Sequence, residues 1–243
     1  MLFINFNYNS YAENNKYFES DTGIISLMYH RFDENKYPST NIKIAAFKEQ
    51  INYIQDLKIN FLDAKNLNKK ISKSNKNKSI LLTIDDGYLS FYENAWPILN
   101  EKKIPFLLFI STEIVGKRGY MNWEQIKELE KNKLVTIGNH SHSHGYLIDK
   151  KKIDISKDIK KSIKIFEDKL GYNPKYFSYP FGEYSIDLKK IIKDLKFEFA
   201  FGQHSGLIDL TKDRLELPRF PINEKYGDLK RFKFLLKLFP FQY

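Results

Sequence analysis

Short apolar runs alternate with segments of helical periodicity along most of this chain. Strands are predicted at residues 23–30, 79–84, 105–110, 134–137, 176–179, 197–201 and 217–220, and helices at 44–58, 91–99, 123–129, 153–170 and 188–195. The helix at 153–170 is the clearest, because its apolar residues share one face and Gly171 stands at a C-cap position. Such alternation is typical of an α/β fold with a largely parallel sheet, and the number of strands favours a distorted (β/α) barrel over an open sheet.

One domain is predicted. The chain has 243 residues, a common length for a single α/β barrel, and 42% of them are hydrophobic, which indicates a globular protein. We expect the domain to cover residues 23–230, with a solvated polar loop at 69–78. The basic, apolar tail at 231–243 is expected to pack on the barrel rather than to touch a membrane or a partner.

Residues 1–22 form a separate N-terminal segment in this prediction. The start is apolar, and Ser10, Tyr11 and Ala12 have the small-x-small pattern of a signal cleavage site, but no Lys or Arg precedes it. A remnant of a signal peptide and a disordered start both remain open. We expect export to the periplasm or cell envelope, with a cytoplasmic location as the alternative.

Composition narrows the chemistry. There is no cysteine, which excludes disulfides, thiolate metal sites and cysteine nucleophiles. The net charge of +10 would favour anionic polymers, but the chain is rich in Lys, Asn and Ile throughout, as a general compositional bias would produce. No aromatic-studded basic stripe is present, so we expect no nucleic-acid partner.

Two adjacent aspartates follow the predicted strand at 79–84 directly. Asp85 and Asp86 stand before Gly87, which permits a tight turn. In a parallel barrel, active sites form at the carboxyl ends of the strands. The alternative is a turn whose aspartates cap the next helix, and this motif alone does not decide between the two.

Three of the five histidines lie together after the predicted strand at 134–137, at His140, His142 and His144. His140 and His144 are four residues apart, so in a helical turn they would share one face and could bind one cation. A surface cluster is the alternative. Two imidazoles and one carboxylate would make an open site suited to Zn²⁺ or a similar divalent metal, and a second carboxylate could act as general base.

A third segment, residues 177–182, has a strand end broken by Pro180 and followed by Gly182. Together the three segments resemble the polysaccharide deacetylases of carbohydrate esterase family 4, over roughly residues 24–222. The motifs are TIDDG from Thr83, HSHSH from His140 and SYPFG from Ser178, in the family's order. The resemblance implies that family's distorted (β/α) barrel and removal of N-acetyl groups from an amino-sugar polymer.

The resemblance also implies roles for single residues. Asp85 would be the catalytic base, and Asp86, His140 and His144 would hold the metal, most simply Zn²⁺. His142 falls on a variable position of the motif and is left out of the site. The segment Tyr179, Pro180 and Phe181 would bind substrate, with the backbone N–H of Phe181 stabilising the oxyanion.

The sequence departs from this family pattern in two places. Ser178 stands where the third motif has an arginine, and the family's late histidine motif is absent. Met28 to Arg31 (MYHR) resembles the branch that deacetylates poly-N-acetylglucosamine, which implies that His30 replaces the late histidine as general acid. Arg219 is the candidate to replace the missing arginine beside Asp85, and a purely structural salt bridge is equally open.

The predicted function is therefore a metal-dependent hydrolase that removes N-acetyl groups from a polysaccharide containing N-acetylglucosamine and releases acetate. The expected partner is that N-acetylated polymer or its oligosaccharides. A metal-dependent amidase or imidase acting on a non-sugar substrate, a carbohydrate-binding relative without activity, and a basic binder of anionic polymers are the alternatives.

Overall fold

The computed structural model describes residues 23–70, 78–209 and 213–237. The strands are β1 Ile24–Tyr29, β2 Arg31–Phe32, β3 Asn41–Ile42, β4 Asn60–Phe61, β5 Ser79–Ile84, β6 Phe106–Ile110, β7 Val135–Asn139, β8 Tyr176–Ser178, β9 Phe199–Phe201, β10 Leu207–Ile208 and β11 Phe220–Pro221. The helices are α1 Ile44–Asp56, α2 Leu67–Lys70, α3 Trp96–Glu101, α4 Trp123–Glu130, α5 Lys152–Leu170, α6 Ile186–Asp194 and α7 Leu229–Lys237.

The main sheet curls into a barrel. Strands β1, β5, β6, β7, β8 and β9 follow one another in parallel, with helices in the connections. The segment after β9 joins the two edges, because Leu217 forms a parallel bridge with Phe201 and Phe220 pairs with Leu27 of β1. The predicted distorted (β/α) barrel is confirmed, and its seam is this short segment rather than a full strand.

Side chains alternate between two layers along each strand. Ile80, Leu82 and Ile84 of β5 pack in the larger hydrophobic cluster, which includes residues of α1, α3, α4 and α7, whereas Leu81 lies in the cluster inside the barrel. The same period of two places Thr83 and Asp85 on the interior side. In β7, Val135 and Ile137 belong to the outer layer, so Gly138 and His140 follow the interior face.

The longer predicted elements match the structure closely, and Gly171 caps α5 in the left-handed conformation, with φ of 83°. The predicted helix at 91–99 begins instead as a π-helical turn, Phe91–Ala95, and continues as α3. Pro97 lies in the first turn of α3, where a missing N–H is tolerated. The two-residue strands β2, β3, β4 and β10 were not predicted.

The predicted flanking segments lie largely outside the described residues. Residues 1–22, 71–77 and 238–243 lie outside the described ranges. The first two residues of the predicted polar loop at 69–78 instead form the end of α2. The described part of the tail is helical, and its Phe232 and Leu236 are buried in the larger cluster. Within the described ranges, no helix is both long and apolar enough to cross a bilayer.

Candidate active site at the carboxyl end of the barrel

A cavity of about 240 Å³ opens at the carboxyl ends of the barrel strands. The residues predicted for the site that line it are His30, Asp85, Asp86, His140, His144, Tyr179, Phe181 and Arg219. Tyr88, Ser39, Thr40 and Asn223, which the sequence analysis did not single out, line it as well.

Asp85 and Asp86 both face this cavity although they are neighbours in the chain. In a regular strand they would point to opposite faces. Asp86 instead adopts a left-handed conformation, with φ of 72°, and Gly87 follows with φ of 74°. The chain therefore turns back at once, and both carboxylates reach the same space. A side chain at position 87 would also meet Ile110, whose Cδ1 lies 2.7 Å from an ideal Cβ.

His140 and His144 are brought together by a loop, not by a helical turn, so the predicted reason for their proximity is wrong. The loop bends through left-handed Ser141 and His144, with φ of 68° and 50°. Asp158 of α5 fixes it by accepting hydrogen bonds from the backbone N–H groups of His142 (2.9 Å) and Ser143 (3.2 Å). The two imidazole rings end with their centroids 4.8 Å apart.

Asp86, His140 and His144 form a compact group. Each offers one ligand atom, and these atoms lie within 4.8 Å of one another. Asp86 Oδ1 is 3.1 Å from His144 Nε2 and 3.4 Å from His140 Nε2. The Nδ1 atom of His140 lies 2.7 Å from the carbonyl oxygen of Ser178. A carbonyl only accepts, so Nδ1 donates its hydrogen there, and Nε2 is the ring nitrogen directed at Asp86.

This group suits a divalent cation. Asp86 Oδ1 is buried and has no hydrogen-bond partner among the described residues, although it lies between two imidazole nitrogens. An unpaired buried carboxylate oxygen is costly, and a cation at this point would satisfy it. Burial alone would raise the pKa of Asp86, but His140 and His144 outweigh it and hold that pKa well below its usual range. One carboxylate and two imidazoles are donors that zinc accepts.

Asp85 is held by a different partner. Arg219 is fully buried and binds both carboxylate oxygens of Asp85, with Nη1 at 2.7 Å from Oδ1 and Nη2 at 2.9 Å from Oδ2. Burial would raise the pKa of Asp85, but the Arg219 guanidinium, together with His140 and His30, outweighs it and lowers that pKa. Asp85 Oδ2 is 3.8 Å from His140 Nε2, so the clamped carboxylate lies directly beside the Asp-His-His group.

Ser178, which stands where the family motif has an arginine, also belongs to this network. Its hydroxyl donates to Asp85 Oδ2 at 3.0 Å and accepts from Arg219 Nη2 at 2.9 Å. Arg219 also donates from Nε to the carbonyl of Gly202 at 2.8 Å. Ser178 at the end of β8 and Arg219 directly before β11 thus contact the same carboxylate.

His30 follows β1 directly and is half-buried at the wall of the cavity. Burial lowers its pKa, while the nearby Asp86 and Asp85 carboxylates act in the opposite direction without cancelling that effect. The other two histidines lie apart from the Asp-His-His group. His142 pairs with Thr112 Oγ1 at 2.9 Å, and His204 lines an adjoining pocket.

The predicted substrate segment, Tyr179 to Phe181, has three different environments. Phe181 is left-handed, with φ of 59°, and 52% exposed, and its ring lies beside that of His144. Tyr179 is fully buried, and its hydroxyl donates to the carbonyl of Leu215 at 2.8 Å, so that hydroxyl is committed to packing. Pro180 is buried and is not among the residues lining the cavity. Gly182 permits close approach of Gln203, whose backbone nitrogen lies 2.7 Å from an ideal Cβ.

An α/β barrel that carries paired aspartates and two histidines at its carboxyl end has the types of side chain that a hydrolase uses. A family model described as polysaccharide deacetylase matches residues 72–200. The chain therefore belongs to the polysaccharide deacetylase family, as its motifs predicted, and it is a deacetylase of that hydrolase class.

Two bacterial relatives are similar over most of the chain. The poly-beta-1,6-N-acetyl-D-glucosamine N-deacetylase of Staphylococcus aureus strain MSSA476 is 26% identical over 214 residues, which cover 82% of this chain and 73% of the relative. A putative polysaccharide deacetylase of Bacillus subtilis strain 168 is 22% identical over 199 residues, covering 81% and 70%.

Solved structures have the same fold. IcaB from Ammonifex degensii superimposes with a TM-score of 0.80 at 24% identity, covering 88% of this chain and 96% of that chain. The Streptococcus pyogenes deacetylase PplD in complex with acetate gives a TM-score of 0.78 at 22% identity, with the same two coverages.

Proposed function

We propose that this deacetylase removes N-acetyl groups from a poly-β-1,6-linked N-acetylglucosamine polymer, with one divalent cation and release of acetate. The polymer is inferred from the name of the Staphylococcus aureus relative. The observation that carries the metal dependence is the buried Oδ1 of Asp86, which lies between two imidazoles without a hydrogen bond. We also propose that the protein is exported, because a chain that acts on such a polymer would meet its substrate outside the cytoplasm.

Asp86, His140 and His144 would hold the cation. When bound, it supplies a Lewis acid that polarises the acetyl carbonyl and lowers the pKa of water. The remaining work falls to the residues around this group, which orient the substrate and move protons.

Asp85 is proposed as the general base. Arg219 keeps its carboxylate ionised and fixes both oxygens, so one lone pair stays available toward the cavity. As water attacks the acetyl carbon, Asp85 accepts its proton. The backbone N–H of Phe181, whose left-handed turn borders the cavity, is the proposed donor to the developing oxyanion.

His30 is proposed as the general acid. The departing amine is a poor leaving group until it is protonated, and His30 lines the same cavity as Asp85 and Asp86, within reach of a substrate bound there. The proton taken up by Asp85 balances the one that His30 delivers to the amine. Acetate and a glucosamine residue leave, and proton return to His30 resets the site.

The test is acetate release from β-1,6- and β-1,4-linked N-acetylglucosamine oligomers, each measured before and after chelation and again after adding back Zn²⁺. We expect release from the β-1,6 series, loss on chelation and recovery with metal. A non-sugar N-acetyl amide serves as the control. Faster hydrolysis of that amide than of any oligomer would favour the amidase alternative and contradict the proposal, as would full activity in chelator.

A further inference from the structure

A second pocket adjoins the catalytic cavity and shares with it the wall made by Phe181, Gly182 and Gln203. Its volume is about 580 Å³, against about 240 Å³ for the cavity itself. We call it the side pocket; it is lined by Ile148, Phe181, Glu183, Tyr184, Gln203 and His204. A polymer with one residue at Asp85 would place its neighbour within reach of this space.

The walls of the side pocket combine aromatic faces with one acid. Phe181 is 52% exposed, its ring centroid lies 5.4 Å from that of Tyr146, and Tyr184 also lines the pocket. Aromatic faces bind both the apolar side of a sugar ring and cations. Glu183 is oriented by the Tyr146 hydroxyl, which donates to its Oε2 atom.

The charge of this pocket is opposite to that of the whole protein. The chain has 40 Lys and Arg and a net charge of +10, yet no Lys or Arg stands among the described residues that line the side pocket. Burial lowers the pKa of His204, so its imidazole is neutral near pH 7. The pocket therefore offers a carboxylate in the same wall as aromatic side chains, which suits a sugar with an ammonium group better than a neutral one.

We infer that the side pocket binds an already de-N-acetylated glucosamine residue next to the residue under attack, with its ammonium group on Glu183 and its ring on Phe181. This inference rests on the deacetylase function proposed above. Its consequence is a preference of the enzyme for sites that adjoin an earlier product, so glucosamine residues would accumulate in neighbouring positions along the polymer.

The first measurement compares kcat/KM on a β-1,6 oligomer that carries one glucosamine with kcat/KM on the fully acetylated oligomer of equal length. We expect a ratio of about five in the native enzyme, the size of a well-placed exposed charge pair, falling at high salt. Glu183→Gln should bring the ratio close to one. Glu101→Gln, which removes the same charge at the far end of the barrel, should leave it unchanged.

The second measurement is calorimetric binding of a fully deacetylated β-1,6-glucosamine oligomer, which needs no turnover. We expect Glu183→Gln to weaken this binding by a similar factor and Glu101→Gln to leave it unaltered. Equal binding by the native and Glu183→Gln proteins overturns the inference, whatever the activity. Failure of acetate release from every oligomer would instead count against the proposed function, because binding is scored separately.

Discussion

Arg219 binds both oxygens of Asp85, at 2.7 and 2.9 Å, although 134 residues separate the two in the chain. Both side chains are buried, so the pair is shielded from solvent. The arginine arrives on the segment that joins β9 to β1, and the aspartate follows β5. Closure of the barrel and ionisation of the proposed base are therefore coupled in one contact.

Replacing this arginine should show the coupling. Arg219→Met leaves a buried carboxylate without its partner, which we expect to lower the free energy of unfolding by about 3–5 kcal/mol at pH 7. The native pKa of Asp85 is lowered, so its contribution is present above the unfolded pKa and is lost as the pH falls through the folded pKa. In the variant burial raises that pKa, so the deficit should shrink toward pH 4.5.

Denaturant unfolding at the two pH values measures this. The double variant Arg219→Met with Asp85→Asn is the matched control, because it removes the unpaired charge and should recover part of the loss. A deficit of the same size at both pH values, with no recovery in the double variant, would show that the guanidinium acts by packing alone.

The Asp-His-His group gives the second prediction. His140→Ala, His144→Ala and Asp86→Ala should each lose both bound metal and activity, because each removes one of the three ligands that the described residues offer. His142→Ala is the matched control, since this neighbour pairs with Thr112 and lies outside the group. Metal analysis after dialysis decides the point, and stoichiometric metal at native affinity in the His140→Ala protein would exclude the assignment.

Substitution should distinguish the role of Asp85 from that of the adjacent Asp86. If Asp85 is the base and Asp86 a ligand, Asp85→Asn keeps the metal while turnover falls by about 10²–10⁴-fold. The asparagine retains the shape of the side chain and a carbonyl oxygen for the Arg219 contact. Metal content and kcat measured on one preparation provide the check. Turnover near the native value would remove Asp85 from the proton transfer.

Gly138 is a position where the fold itself makes a prediction. An ideal Cβ there would lie 2.4 Å from Cδ1 of Phe109, whose ring fills the barrel interior near His140. We expect Gly138→Ala to cost about 1–3 kcal/mol of unfolding free energy through overpacking. Adding Phe109→Leu should restore much of it by making room. If the alanine variant melts like the native protein, the strand can move aside and the contact is not restrictive.

The sequence was most informative where apolar patterns were long and motifs local. The strand at 79–84 was predicted to the residue, and the aspartates and histidines that follow β5 and β7 stood out at once. What escaped prediction depends on single backbone angles or distant contacts. The left-handed φ of Asp86 has no side-chain signature, and strands of two residues show no periodicity.

Contacts across the barrel were predictable only through the resemblance. Nothing in the local pattern around Arg219 indicates a carboxylate 134 residues earlier, and Ser178 read as a missing arginine rather than as a hydrogen-bonding link. The buried hydroxyl of Tyr179 was likewise invisible, because an aromatic beside a motif looks the same whether it contacts substrate or the core.

The last prediction concerns His30, the proposed acid. Burial lowers its pKa, so the imidazole should begin to lose its proton at a pH below the ordinary histidine pKa of about 6.5. An acid that must be protonated limits kcat/KM on the alkaline side, and we expect that limb to start correspondingly early. His30→Ala should retain metal, lose most turnover and lack the alkaline limb. His142→Ala, a histidine that pairs with Thr112 and lines neither pocket, is the matched control and should keep the native profile. A His30→Ala enzyme whose profile retains the alkaline limb would show that another group protonates the amine.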